Sequence, residues 1–207
     1  MNRVGIVDYG MCNLDSVARA IEECGAVPVV TDQPKELESV HRLILPGVGA
    51  FPDAMKNLRD RGLDQALREQ VLNRGIPLLG ICLGMQLLAT RGHEVTITPG
   101  LDLIPGEVIR LQPNGEDIRI PHVAWNEAHR ATESPLFALI DRDKDFYFVH
   151  SYHLKPDHES DVLARTHYGA GFVSAVQRGI VYGVQFHPEK SQKPGFQLLR
   201  NFLTMHS

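Results

Sequence analysis

The chain has 207 residues, with 21 Lys and Arg against 25 Asp and Glu, a formal net charge of −4. A mildly acidic chain lacks the basic footprint that binding a nucleic-acid backbone requires, so no nucleic-acid partner is expected. With 43% hydrophobic and 22% charged residues the composition is globular, and a chain of this length buries a core without disulfide staples, as one domain over 1–207.

The three cysteines, Cys12, Cys24 and Cys82, are odd in number and widely spaced. That argues against a disulfide framework and for a reducing, cytoplasmic setting. The opening MNRVGIVDYG reads as a first strand, not as a signal peptide. The longest near-apolar run, 76–83, is too short to span a bilayer, so no membrane association is expected.

The first half alternates strand and helix. Val4–Val7 is a short buried strand followed by a turn at Tyr9-Gly10. From Asn13 to Cys24 the spacing is helical, with Leu14, Val17, Ala18 and Ile21 on one stripe. Gly25 suits the left-handed position that ends a helix. Val27–Val30 and Leu43–Leu45 are the next strands, the latter ending at Pro46-Gly47. The polar-rich 53–73 stretch is helical, divided at Gly62. Ile76–Cys82 is a fourth, almost wholly apolar strand, and a helix over Leu83–Thr90 follows a sharp turn. Continuous apolar strands between amphipathic helices imply an α/β fold, a mostly parallel sheet covered on both faces.

The second half changes character. Strands are expected over 104–111, 121–125, 145–152, 162–167, 172–176 and 180–186, as antiparallel additions to the sheet. A helix over Pro194–Met205 closes the chain, with Pro near its first turn. The polar soft spots are 114–117 and 141–144.

Three segments carry chemistry. Gly80-Ile81-Cys82-Leu83-Gly84 has the form G-x-nucleophile-x-G between a buried strand and a helix. A nucleophile on so tight a turn sits in a strained backbone, and flanking side chains would collide there. The helix N-terminus favours a thiolate, and the Leu83 N–H points where an oxyanion forms. Against this, a free cysteine is often only a small buried hydrophobe. Gln185-Phe186-His187-Pro188-Glu189 offers a base and a carboxylate two apart, both leaving one face of a strand end. A cysteine nucleophile needs such a base, and the base needs a group that fixes its tautomer. H-x-E alone is more often a surface pair. Pro46-Gly47-Val48-Gly49 is a strand-end loop that aims a backbone N–H into a site or serves as a plain turn. It lacks the third glycine of a dinucleotide fingerprint. His150-Ser151-Tyr152-His153 has no Cys or carboxylate partner at metal-ligand spacing, so no metal is expected.

Together these segments resemble the class I, or triad, glutamine amidotransferases, from the first strand through G-I-C-L-G-M-Q at 80–86 to V-Q-F-H-P-E at 184–189. Within that family, D-Y-G-M-C-N-L at 8–14, L-P-G-V-G at 45–49, H-V-A-W-N at 122–126, F-V-H-S-Y at 148–152 and H-P-E-K-S at 187–191 look like the glutaminase subunits of imidazole glycerol phosphate synthase. The resemblance implies a flavodoxin-like open sheet and a reaction without cofactor. Cys82 attacks the glutamine carboxamide, His187 relays the proton to departing ammonia, and Glu189 orients His187. Leu83 and Val48 supply the oxyanion hole. Gly49, Gln86, Glu94, Ser151 and Tyr152 hold the substrate glutamine. Ammonia passes to a separate (β/α)₈-barrel cyclase subunit in histidine biosynthesis, with Asn13, Trp125 and Lys190 facing that partner. Cys12 and Ala124 stand where such subunits usually carry glycine, in segments at the expected interface. Those departures leave open a paralogous subunit feeding an amidine-forming surface-sugar synthase. Cys12 needs a negative φ to avoid strain.

Overall fold

The computed structural model describes residues 2–114, 119–142 and 144–205; the soft spots noted above fall partly on residues 115–118 and 143, outside the described residues. The first half alternates as its patterning demands: β1 (Arg3–Val7), α1 (Leu14–Glu23), β2 (Val27–Thr31), β3 (Arg42–Leu45), α2 (Phe51–Asp60), α3 (Leu63–Arg68), β4 (Leu78–Ile81) and α4 (Leu83–Leu87). Gly25 takes φ +85° after α1, and Gly62 takes φ +68° between α2 and α3. Both are left-handed positions that favour glycine.

The second half contains β5 (Ala89–Gly92), β6 (Thr98–Pro99), β7 (Ile104–Arg110), β8 (His122–Glu127), β9 (His129–Arg130), β10 (Asp145–His150), β11 (Tyr152–Pro156), β12 (Val162–Thr166), β13 (Phe172–Arg178), β14 (Val181–Val184) and α5 (Gln192–Thr204). The main sheet runs β2-β1-β3-β4-β14-β13-β12-β9. Its first five strands are parallel, in the flavodoxin-like order. The last three are antiparallel.

Alternation along each central strand sends residues to two cores. Ile44 packs with Val17 and Ile21 of α1 and Leu198 and Phe202 of α5. Its neighbours Leu43 and Leu45 pack with Leu58 of α2, Leu67 of α3 and Met85 of α4. That two-sided burial is why β4, β14 and, after Arg42, β3 read as nearly apolar runs.

Three expectations need correction. The helix after Cys82 ends at Leu87, not Thr90, because Ala89 leaves it to pair with Ile104 of β7; the ladder partner outweighs helix propensity. The expected 145–152 strand breaks at Ser151 into β10 and β11, which pair with different strands, β8 and β7. The strands of the second half are not all antiparallel additions to the main sheet: the one expected over 180–186 is β14, which runs parallel to β4. β8 and β10 form a two-stranded sheet, and β11-β7-β5-β6 a four-stranded one.

Candidate active site

Cys82 stands at the end of β4 with φ 55° and ψ −111°, a strained backbone for a residue with a side chain. Its N–H donates to the Val184 carbonyl at 2.8 Å, and its carbonyl accepts from the Gln86 N–H at 3.3 Å, so the turn is held from both sides. The flanking glycines are steric necessities. A Cβ on Gly84 would lie 1.7 Å from the Leu45 carbonyl oxygen, and one on Gly80 would lie 2.7 Å from the Gly84 carbonyl oxygen.

Cys82 and His187 line one cavity of about 250 Å³ together with Val48, Gly49, Leu83, Gln86, Glu94, Val149, His150, Ser151 and Tyr152. Its size suits a small molecule. His187 Nδ1 meets Glu189 Oε1 at 2.8 Å, and the two side chains are 4% and 2% exposed. Strand alternation does not produce this pairing. β14 ends at Val184, and residues 188–190 form a 3₁₀ turn that folds the carboxylate back onto the imidazole. Ser191, to which the sequence pattern assigns no part, pins that turn. Its hydroxyl donates to the His187 carbonyl at 2.6 Å and accepts from the Tyr147 N–H at 3.0 Å.

Burial opposes a charged His187, but hydrogen bonding and charge from Cys82 and Glu189 more than reverse it, and its pKa is raised to about 10. An imidazolium beside the sulfur favours the thiolate. In three other histidines burial is the largest cause and no carboxylate or thiolate offsets it. His122 is pushed down to about 4, His150 to about 3 and His153 to about 4. These three stay neutral at pH 7.

The expected glutamine-holding residues line the cavity, but some are already engaged. Gln86 Nε2 donates to the Tyr152 carbonyl at 2.8 Å and to Gln185 Oε1 at 3.1 Å. Glu94 Oε2 accepts the Phe51 N–H at 2.8 Å, capping the first turn of α2. Val48 departs furthest from its expected part. Its N–H donates to the Met11 carbonyl at 2.9 Å, so in this conformation it is not offered to an oxyanion. Gly47 lies close under this loop, where a Cβ would sit 2.0 Å from the buried Tyr9 hydroxyl.

Asn13 borders a smaller cavity together with Val48, His187 and Glu189. Trp125 and Lys190 both lie against Tyr147, ring to ring at 5.9 Å and Nζ to ring at 6.0 Å. Trp125 and its neighbour Val123 are exposed. Cys12 keeps a negative φ, so it carries no left-handed strain. Gln185 lies inside the 184–189 motif, where the pattern alone suggests no role for it. A fully buried amide in an apolar strand end is itself a signal, since it must be hydrogen-bonded.

Comparison with known proteins gives the chain its family. The family described as glutamine amidotransferase class-I matches residues 5–205. The imidazole glycerol phosphate synthase subunit HisH of Moorella thermoacetica is 50% identical over 202 residues, 98% of this chain and 94% of the relative. The corresponding HisH 1 subunit of Campylobacter jejuni strain RM1221 is 45% identical over 98% of this chain and all of its own length. Among solved structures, a glutamine amidotransferase superposes with TM-score 0.71 at 22% identity, over 95% of this chain and 98% of its own. Another glutamine amidotransferase, from Thermotoga maritima, superposes with TM-score 0.67 at 19% identity, over 98% of this chain and 96% of its own. At such identities these two speak for the fold. The chain therefore belongs to the class I glutamine amidotransferases, a family of enzymes, and within it groups with the HisH subunits of imidazole glycerol phosphate synthase.

Proposed function

We propose that this chain hydrolyses glutamine to glutamate and ammonia and feeds the ammonia to a cyclase subunit in histidine biosynthesis. The observation that carries the reading is the meeting of Cys82, on its strained turn, with His187 in one small cavity, His187 being bonded to the buried Glu189. Cys82 attacks the carboxamide carbon, and His187 protonates the departing ammonia. Water, activated by His187, then cleaves the thioester. Glu189 holds the imidazole with Nε2 toward the sulfur and balances its charge. Leu83 is the first oxyanion donor, and Gly49, Glu94, Ser151 and Tyr152 surround the substrate.

The engaged Val48 N–H supports a low rate in the isolated chain. A partner seated over Asn13, Trp125 and Lys190 touches the β1–α1 loop that carries Met11, and a turn of the Val48 peptide there completes the oxyanion hole. The partner is a (β/α)₈-barrel cyclase that makes imidazole glycerol phosphate and an aminoimidazole carboxamide ribotide, and the pair works in the cytoplasm. The names of the relatives favour this partner over a surface-sugar synthase.

Glutamate release is measured for the chain alone and with the histidine-pathway cyclase and its ribotide substrate, with Cys82→Ala as blank. The expected rise is about 10²- to 10³-fold, the worth of one oxyanion donor. Full activity of the chain alone overturns the coupling. No rise with the loaded cyclase overturns the partner.

A further inference from the structure

Behind the nucleophile lies a chain of hydrogen bonds that the triad does not use. His122 Nδ1 meets His150 Nε2 at 3.2 Å, and His150 Nδ1 meets the Tyr152 carbonyl at 2.9 Å. That carbonyl also receives Gln86 Nε2, whose amide goes on to Gln185 Oε1. Gln185 Nε2 ends the chain 3.7 Å from the Cys82 sulfur. Gln185 and His122 have no exposed surface, and Gln86 and His150 have almost none.

The polarity of this chain follows from chemistry. A backbone carbonyl only accepts, so Gln86 must turn its NH₂ group to Tyr152 and His150 must carry its proton on Nδ1. The second hydrogen of that NH₂ points at Gln185, and only the Gln185 oxygen can take it. The Gln185 nitrogen is therefore left facing the sulfur. One obligate acceptor, two residues removed, decides which end of Gln185 the nucleophile meets. The Gln185 main chain is fixed as well, its N–H donating to the Ser174 carbonyl at 2.9 Å.

We infer that Gln185 is a thiolate-stabilising residue, its amide N–H donating to the Cys82 sulfur whenever that sulfur carries charge. The inference rests on Cys82 being the nucleophile. A neutral thiol accepts weakly and has the Val149 carbonyl, 3.8 Å away, to donate to. A thiolate is a strong acceptor, and a hydrogen bond to the charged form favours it. His187 changes protonation during turnover and is a donor only part of the time. An amide cannot titrate near neutral pH, so Gln185 donates throughout. This matters most in the second half-reaction. Water adds to the acyl carbon, the C–S bond breaks, and sulfur leaves with the electron pair, facing Gln185, before His187 returns the proton. His187 also acts electrostatically on the sulfur, and Glu189 reaches it through His187; burial and the charge of the sulfur keep the Tyr9 hydroxyl protonated. Gln185 is uncharged, and its contribution adds to theirs.

The test is the pH profile of Cys82 alkylation by iodoacetamide, with Cys82→Ala as the blank for Cys12 and Cys24. Gln185→Met removes the donor at nearly constant shape. It is expected to slow alkylation at pH 7 about tenfold and to move the half-titration up by about one unit. Gln185→Glu keeps an acceptor for Gln86 while turning an oxygen to the sulfur, and its upward move is expected to be at least as large. A role confined to packing leaves the Gln185→Met profile at the wild-type position, which overturns the inference. In the wild-type protein, whatever the variants do, the ¹⁵N-labelled Gln185 side-chain amide is expected to shift as Cys82 ionises and to stay still in Cys82→Ala. An amide that ignores the titration also overturns it. A Cys82 no more reactive than the blank overturns the nucleophile reading itself, a result distinct from either.

Discussion

The two halves of the site are built differently. The half at the ends of β4 and β14 is buried, strained and held: Cys82 on its turn, His187 bonded to Glu189, Ser191 pinning both to β10. The half at the end of β3 is a loop in which Val48 is 42% exposed and its N–H is spent on Met11. The difference teaches where preorganisation is stored. Groups that carry charge through the reaction are fixed by burial and short hydrogen bonds, which cost little to maintain once the core is packed. The N–H that the proposed function assigns to the oxyanion sits instead in a half-exposed loop, so on that reading the rate depends on a peptide at the surface.

The largest test of that contrast lies in the built half. Cys82→Ala or His187→Gln is expected to reduce glutamate release on the order of 10⁴-fold or more, in the presence of the cyclase as in its absence. A residual rate within tenfold of wild type moves the chemistry elsewhere.

Glycine substitutions separate the halves by stability. In Gly84→Ala the new methyl meets the Leu45 carbonyl, which is backbone and cannot swing aside. A loss of about 3 kcal/mol is expected, or roughly 6–12 °C in Tm. In Gly49→Ala the methyl meets the far end of the Met11 side chain, 2.6 Å away, and the cost is mainly the strain of φ +107°, about 1–2 kcal/mol. Equal Tm losses in thermal unfolding break the contrast.

A third test uses pH. His187 is held above the ordinary histidine value, so the folded state binds its proton more tightly than the unfolded chain. Its stabilisation is full below about 6.5 and fades as the pH rises through about 10. The stability gap between wild type and His187→Gln in urea unfolding is expected to shrink over that window. His122, His150 and His153 run oppositely. Burial keeps them neutral, so their share of stability is full above about 6.5 and is lost as the pH falls through about 4 and about 3. A gap independent of pH rejects the protonated His187.

The smallest expected effect is at Glu94. Glu94→Gln keeps a side-chain acceptor for the Phe51 N–H but removes the charge at the start of α2. About 0.5–1 kcal/mol is expected in thermal unfolding. A larger loss makes Glu94 a structural post of the whole β3 half.

Much of this was legible in the residues. The period of the apolar pattern gave the parallel strands and their covering helices, because burial on both faces leaves little room for polar side chains in β3, β4 and β14. G-I-C-L-G announced its turn, since only glycine fits beside backbone at 80 and 84. Less legible were the end of α4 at Leu87 and the break at Ser151, because each depends on a strand partner outside its own segment. Sequence spacing contains no term for such a partner.

By itself, then, the sequence determined local matters: which segments are strands or helices, which cysteine sits on a sharp turn, and which histidine has a carboxylate within reach. The tertiary structure decided the rest. Cys82 and His187, 105 residues apart, meet because β4 and β14 pair side by side in the sheet. The pairing of His187 with Glu189 comes from a 3₁₀ turn held by Ser191, not from strand alternation. The Val48 N–H faces Met11 because two loops from neighbouring strands share one hydrogen bond. Patterning fixes which surfaces must be buried. Which polar groups then find one another depends on geometry between distant segments, and only the folded chain supplies that.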